Sequence, residues 1–266
     1  MELIWNNLEV VWFILITILF AGFFLLEGFD YGTGILLPII GKTDVERRQM
    51  INALGPIWDG NEVWMITAGG ALFASFPHVY ATLFSGFYLV LFLMLSMLII
   101  RGVSFEFRSK SPNLLWRKTF DYCIFFGSLI PALLWGIMVG DLIQGTPIDG
   151  SMTYVGTISD LFTAYTIPCG IAFVLLFIYH GGLFTSIKTA GPISERARAA
   201  SLVAGVPAAI SIIALAVLTY VYTDLFNSVG ALICFTLAIL SFLISWGATR
   251  TRNTKWGFLL SSLAVI

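Results

Sequence analysis

The chain has 266 residues, 58% of them hydrophobic and 11% charged, with a formal net charge of −1. Its mean hydropathy is +0.93. A soluble domain carries about 25% charged residues, so too few polar side chains remain here to cover a water-facing surface. The composition excludes a soluble globular domain and points to an all-α polytopic membrane protein surrounded by lipid, with no nucleic acid as partner.

A helix needs about 20 apolar residues to cross a bilayer. In chain order, the apolar runs predict helices near residues 8–31, 51–76, 79–100, 119–141, 159–187, 199–223 and 226–249, and an eighth starting near Trp256. The stretch 256–266 makes about 16 Å of helix, roughly half a bilayer core. The reading therefore expects the rest of that helix to lie beyond Ile266. The opening, "MELIWNNLEV", has no Lys or Arg. A secretory signal needs a basic start, so the first segment is read as a retained helix.

All 14 Lys and Arg fall at alternate connections. Lys42, Arg47 and Arg48 follow the first segment. Arg101, Arg108, Lys110, Arg117 and Lys118 follow the third, Lys188, Arg196 and Arg198 the fifth, and Arg250, Arg252 and Lys255 the seventh. The positive-inside rule makes that side cytoplasmic and puts the N-terminus outside. Thr43 and Glu46 have capping-box spacing ahead of the second segment. Ser194, with Glu195 in the first turn, is the expected cap of the sixth. These equivalent places suggest two four-helix halves, residues 1–150 and 151–266, the second incomplete.

Ionised carboxylates inside a bilayer cost at least ~2.5–3.5 kcal/mol and usually face the bundle interior or a water path. Most of the 15 acids avoid this cost by lying in connections, with Asp121 and Asp141 bounding the fourth segment. Four acids remain: Glu27 and Asp30 in "LLEGFDYGTG", and Asp59 and Glu62 in "GPIWDGNEVW". Each pair shares a helix face. At ~1.5 Å per residue, Asp30 lies roughly 33 Å along the first segment and Asp59 roughly 12 Å along the second. Antiparallel helices then bring all four to one level, with Arg101 as the nearest cation. A lipid-headgroup location would make the same acids structural; a buried cluster would make them a proton route. Trp58 and Trp64 flank the second pair and are expected to wall it from lipid.

No zinc, c-type haem or iron–sulfur spacing occurs. Cys123, Cys169 and Cys234 are read as small apolar helix residues. His78 and His180 lie at opposite depths, so a bis-His haem site within this chain is not expected, and His180 is read as a packed polar residue.

Six motifs in order resemble those of subunit II of the cytochrome bd-type quinol oxidases. They are "GFDYG" (28–32), "ERRQMINALGPIWDGNEVW" (46–64), "ITAGGALFASFPHVYATLFSGFY" (66–88), "RGVSFEFRSK" (101–110), "WRKTFDYCIFFGSLIPALLWG" (116–136) and "GDLIQGTP" (140–147). The resemblance is dense from residue 20 to about 150 and looser afterwards. It implies two four-helix bundles plus a peripheral helix in a bacterial cytoplasmic membrane. It also implies pairing with a subunit I that ligates haems b and d and oxidises quinol to reduce oxygen to water, with room for small accessory subunits. This chain would then be part of an enzyme without being catalytic alone. By the same resemblance, Asp59 is the first candidate for a cytoplasmic proton route, Asp30 and Arg101 support it, Trp64 marks oxygen access, and Glu27 and Glu62 are secondary members. Read without the resemblance, the intramembrane acids equally suit a proton- or cation-coupled transporter, or a purely structural subunit.

Overall fold

A computed structural model describes residues 7–266. Residues 1–6, the start of the non-basic opening discussed above, lie outside the described residues. Ten α-helices follow one another: α1 (Leu8–Ile40), α2 (Asp44–Leu54), α3 (Trp58–Ser75), α4 (Pro77–Gly86), α5 (Tyr88–Phe107), α6 (Leu114–Gln144), α7 (Thr166–Lys188), α8 (Pro192–Tyr222), α9 (Val229–Arg250) and α10 (Thr254–Val265). Among the described residues there is no β-strand, only an isolated bridge between Ile148 and Tyr154. Among the described residues, six helices, α1 and α5 to α9, are long and apolar enough to cross a membrane, α5 together with the turn that follows it.

Two predicted spans are broken. The run 51–76 is not one helix, because Pro56 separates α2 from α3. Proline lacks an N–H and disfavours helical geometry in the residue before it. The run 79–100 is interrupted at Phe87, whose ψ of 15° departs from helix. The fifth span starts at Thr166 rather than 159. Before it, Thr157 and Asp160 cap a separate 3₁₀ turn at Ile158–Leu161, and the Thr166 hydroxyl donates to the Leu161 carbonyl at 2.6 Å.

The expected capping box at α2 is present. The Glu46 N–H donates to Thr43 Oγ1 at 3.3 Å and the Thr43 N–H to Glu46 Oε2 at 3.0 Å. Ser194 does not cap α8. That helix starts at Pro192 after Gly191, proline being preorganised for the first helical position, and the Ser194 hydroxyl donates to the Ser186 carbonyl instead, at 2.6 Å.

Helix α1 packs against α3, α6 and α7, and α7 also packs against α6, α8 and α10. The α1–α7 seam is closest at Gly32 and Gly181, where a Cβ on either would overlap the backbone of the other helix. Small residues permit this approach, which lipid-embedded helices use in place of a hydrophobic driving force. The main core cluster gathers Phe23, Tyr31 and Ile35 of α1 with Trp135 of α6 and Phe177 of α7. The outer turns of α8 and α9 keep apolar side chains exposed, among them Ile210, Val217, Ile233 and Leu240, as lipid-facing surfaces do.

Candidate functional site: a buried arginine among three carboxyl groups

The site forms where α1, α3, α5 and α6 meet. Arg101 lies inside α5, and Glu27 and Asp30 lie on α1; all three are 0% exposed. Gly127 of α6 packs flat against the Arg101 stem, where a Cβ would stand 2.7 Å from that of the arginine. Arg101 Nη1 donates to Glu27 Oε1 at 2.5 Å and to Glu62 Oε1 at 3.1 Å. Its Nη2 lies 4.0 Å from Asp30 Oδ2. The Asn61 amide donates to that same Asp30 oxygen at 2.8 Å. The guanidinium also stands over two aromatic rings, 4.9 Å from the centroid of Tyr31 and 5.4 Å from that of Phe105. These contacts supply weak cation–π attraction.

Three of the four singled-out acids therefore meet at one guanidinium, and Asp59 does not join them. Because α3 begins at Trp58, Asp59 lies in its first turn and is exposed, not about 12 Å along a continuous helix. Glu62, one turn further on, has 19% of its side chain exposed. Exposure thus falls from Asp59 through Glu62 to Glu27. Trp58 packs on Phe105 at 5.3 Å and walls one side of the cluster. Trp64 faces away, 36% exposed, with its ring seated on Gly22.

Asn61 and Tyr31 belong to the site without having been singled out from the sequence. Neither carries a charge, and the only available signal was their place inside the two acidic motifs. A second buried network was also missed. Asp121 lies within α6 and does not bound it. It accepts from Arg108 Nε at 2.5 Å and Arg47 Nη1 at 2.7 Å. Asp44 bridges Arg108 and Arg117 at 3.0 and 2.8 Å. Arg196 of α8 pairs with Glu46 of α2. The basic connections are thereby stitched to one another. At this exposed end, the backbone N–H of Thr43 is the main cause holding the Glu46 carboxyl below its usual range, helped by Lys42 N–H and Arg196.

The histidines do not fit a haem ligand pair. His78 is exposed. His180 is buried with both ring nitrogens engaged, Nδ1 at 2.7 Å from Ser261 Oγ and Nε2 at 3.2 Å from the Leu25 carbonyl. Its ring is stacked on Phe258 at 4.7 Å. It joins α1, α7 and α10 as a packed polar residue. Among the described residues no group of three or more His, Cys, Asp or Glu is arranged to hold a metal ion.

Comparison with known proteins gives this geometry a family. The chain is 40% identical to cytochrome bd ubiquinol oxidase subunit 2 of Bacillus subtilis, over 95% of this chain and 75% of that protein. It is 41% identical to cytochrome bd-I ubiquinol oxidase subunit 2 of Escherichia coli K12, over 74% of this chain and 53% of that protein. The fold is similar to the structure of bd oxidase from Geobacillus thermodenitrificans, with a TM-score of 0.76 at 17% identity over 97% of this chain and 81% of that one. The family model for cytochrome bd terminal oxidase subunit II matches residues 8–266. The chain belongs to the cytochrome bd terminal oxidase subunit II family.

Proposed function

We propose that this chain works as subunit II of a terminal quinol:oxygen oxidoreductase, and that its Arg101 cluster carries protons inward from the side of the basic loops. In this reading it pairs with a haem-bearing subunit I in a bacterial cytoplasmic membrane, basic loops in the cytoplasm and N-terminus outside. The names of its relatives support the activity, and the basic connections support the orientation. When bound in the complex, the haems of subunit I supply electron transfer and oxygen chemistry. This chain supplies a packing partner and a proton path, with Trp64 marking an oxygen entry.

The observation that carries the proton role is one buried guanidinium facing three carboxyl groups along a gradient of exposure. Fully ionised, the set would leave uncompensated negative charge in an apolar core, at a cost of several kcal/mol per ion. Holding protons removes that charge, so the set can store a proton and release it. Asp59 meets water, and Glu62 shares its helix face one turn deeper. Glu62 and Glu27 bind the same Arg101 nitrogen. A proton entering at Asp59 passes to Glu62 and from its carboxyl to that of Glu27. Arg101, a donor only, holds the two carboxyl groups at one nitrogen and carries no proton itself, while Asn61 holds Asp30 in place.

The test compares Asp59→Asn, Glu62→Gln and Glu27→Gln in the assembled oxidase. All three should keep haem absorbance and slow oxygen consumption. Asp59→Asn should slow it least, because bulk water can substitute at an exposed position. Unchanged turnover across pH in all three variants would remove the proton role. Loss of haem in all three would identify the cluster as an assembly element.

A further inference from the structure

Among the described residues, ten buried side-chain polar atoms have no protein hydrogen-bond partner, and six of them belong to one neighbourhood. They are Glu27 Oε2, Asp30 Oδ1, Arg101 Nε and Nη2, Tyr31 Oη and Trp135 Nε1. Native proteins satisfy the great majority of buried polar atoms, so this concentration has a physical cause. Four of the six atoms are in the charged cluster itself. The other two extend it.

Tyr31 is 0% exposed and Trp135 7% exposed. The Tyr31 ring lies beneath the Arg101 guanidinium. Side chains of a helix lean toward its N-terminus, so the phenol of α1 points away from the basic loops. On that side lies Trp135, whose ring packs against Phe23 at 5.2 Å and Phe24 at 5.5 Å, one turn of α1 beyond Glu27. The indole and the phenol belong to one buried cluster, and neither the Trp135 N–H nor the Tyr31 hydroxyl has a direct protein hydrogen-bond partner. Internal water commonly answers such groups, each molecule making about three hydrogen bonds to buried polar atoms.

We propose that Tyr31 is a proton-relay residue that extends the Arg101 cluster toward the side opposite the basic loops, with Trp135 as its positioning residue and internal water between them. The proposal rests on the proton role argued above. In the relay, Tyr31 Oη takes a proton from water hydrogen-bonded to Glu27 Oε2 as it gives its own to water held at Trp135. One O–H bond forms on that oxygen as another breaks, so the phenol ends neutral and no redox partner is needed. The indole N–H donates only. It fixes the lone pair of the neighbouring water and leaves both protons of that water free to move on.

The test uses Tyr31→Phe and Trp135→Phe in the assembled oxidase, with Glu62→Gln as reference. Proton uptake, the solvent deuterium effect and haem absorbance are measured on each. Tyr31→Phe should keep its haems and slow uptake about 10-fold, short of the ~100-fold expected for a positioned acid–base group, because water can partly stand in for the phenol. Its deuterium effect should rise. Trp135→Phe should slow uptake less. Wild-type uptake in Tyr31→Phe beside slowed uptake in Glu62→Gln would overturn the relay and leave the cluster reading intact. Wild-type uptake in both would overturn the two together. Should Tyr31→Phe fail to assemble, a density map of the unaltered complex decides. Ordered water within hydrogen-bond reach of both Tyr31 Oη and Trp135 Nε1 supports the relay. A map that resolves water at Glu27 and none there overturns it.

Discussion

Among the described residues, Arg101 is the one cation that touches Glu27 and Asp30, and replacing it with Met removes that contact. Both carboxyl groups are 0% exposed, as is the arginine. Methionine keeps most of the apolar volume against Gly127 and the Tyr31 and Phe105 rings, so the loss is chiefly electrostatic. Breaking a buried ion pair from one side costs about 3–5 kcal/mol, a large share of the roughly 5–15 kcal/mol that holds a typical fold. Two lost cation–π contacts add about 0.5–1 kcal/mol each, and protonation of the stranded carboxyls offsets part of the total. A net destabilisation of about 3–5 kcal/mol is expected. Equilibrium unfolding in mixed detergent–SDS micelles measures it, with haem content of the complex read in parallel. Adding Glu27→Gln should return part of the loss, because Glu27 makes the shortest bond to the arginine, at 2.5 Å. Arg101→Lys should fall between, since an ammonium keeps the charge but not the fork that spans Glu27, Glu62 and Asp30. If Arg101→Met unfolds within about 1 kcal/mol of the wild type, close to the worth of an exposed pair, the guanidinium is not the keystone of this site and the argument from buried charge fails.

Three further outcomes are expected. Gly32→Ala should destabilise by at least about 1–3 kcal/mol through overpacking, because its Cβ would overlap the Phe177 carbonyl of α7. Gly69→Ala, where nothing stands within 4 Å of the new methyl, should be near neutral; equal unfolding midpoints for the two would refute the close-approach account. Asp121→Asn should cost about 3 kcal/mol, the low end for a broken buried pair, because Arg108 retains Asp44 at 3.0 Å; the same micellar unfolding reads it. The last concerns pH. The folded Glu46 carboxyl titrates below its ordinary value, so its contribution is present above the unfolded value and is lost as pH falls through the folded one. Glu46→Gln should therefore flatten the acid limb of the stability–pH curve, and an unchanged limb would assign that dependence to other groups.

What was readable from the residues, and what was not, follows from the range of the forces involved. Hydropathy sums over about 20 neighbours, so the apolar runs of α1 and α5 to α9 announced themselves as helices, and the Thr43–Glu46 cap was set by four consecutive residues. The long apolar pattern of 51–76 reads as one span with Asp59 inside it, but a new helix starts after Pro56, and that break puts Asp59 in an exposed first turn. Ser194 failed as a cap because Pro192 starts α8 two residues earlier.

The candidate site divides in the same way. The sequence by itself singled out Glu27, Asp30, Asp59 and Glu62, with Arg101 as the nearest cation, because charge in a hydrocarbon core is too costly to leave unpaired; it left a headgroup location and a buried cluster both open. Tertiary structure alone decided which carboxyls reach the arginine. That choice depends on the angle at which α3 leaves Pro56 and on Gly127 letting α5 and α6 close around the guanidinium. It also decided that Tyr31 and Trp135 share one buried cluster and that Asp121 is buried between Arg108 and Arg47. Contacts between residues 74 or more positions apart, such as Arg101 with Glu27 and Arg47 with Asp121, are set by helix packing, and no local pattern of side chains encodes them.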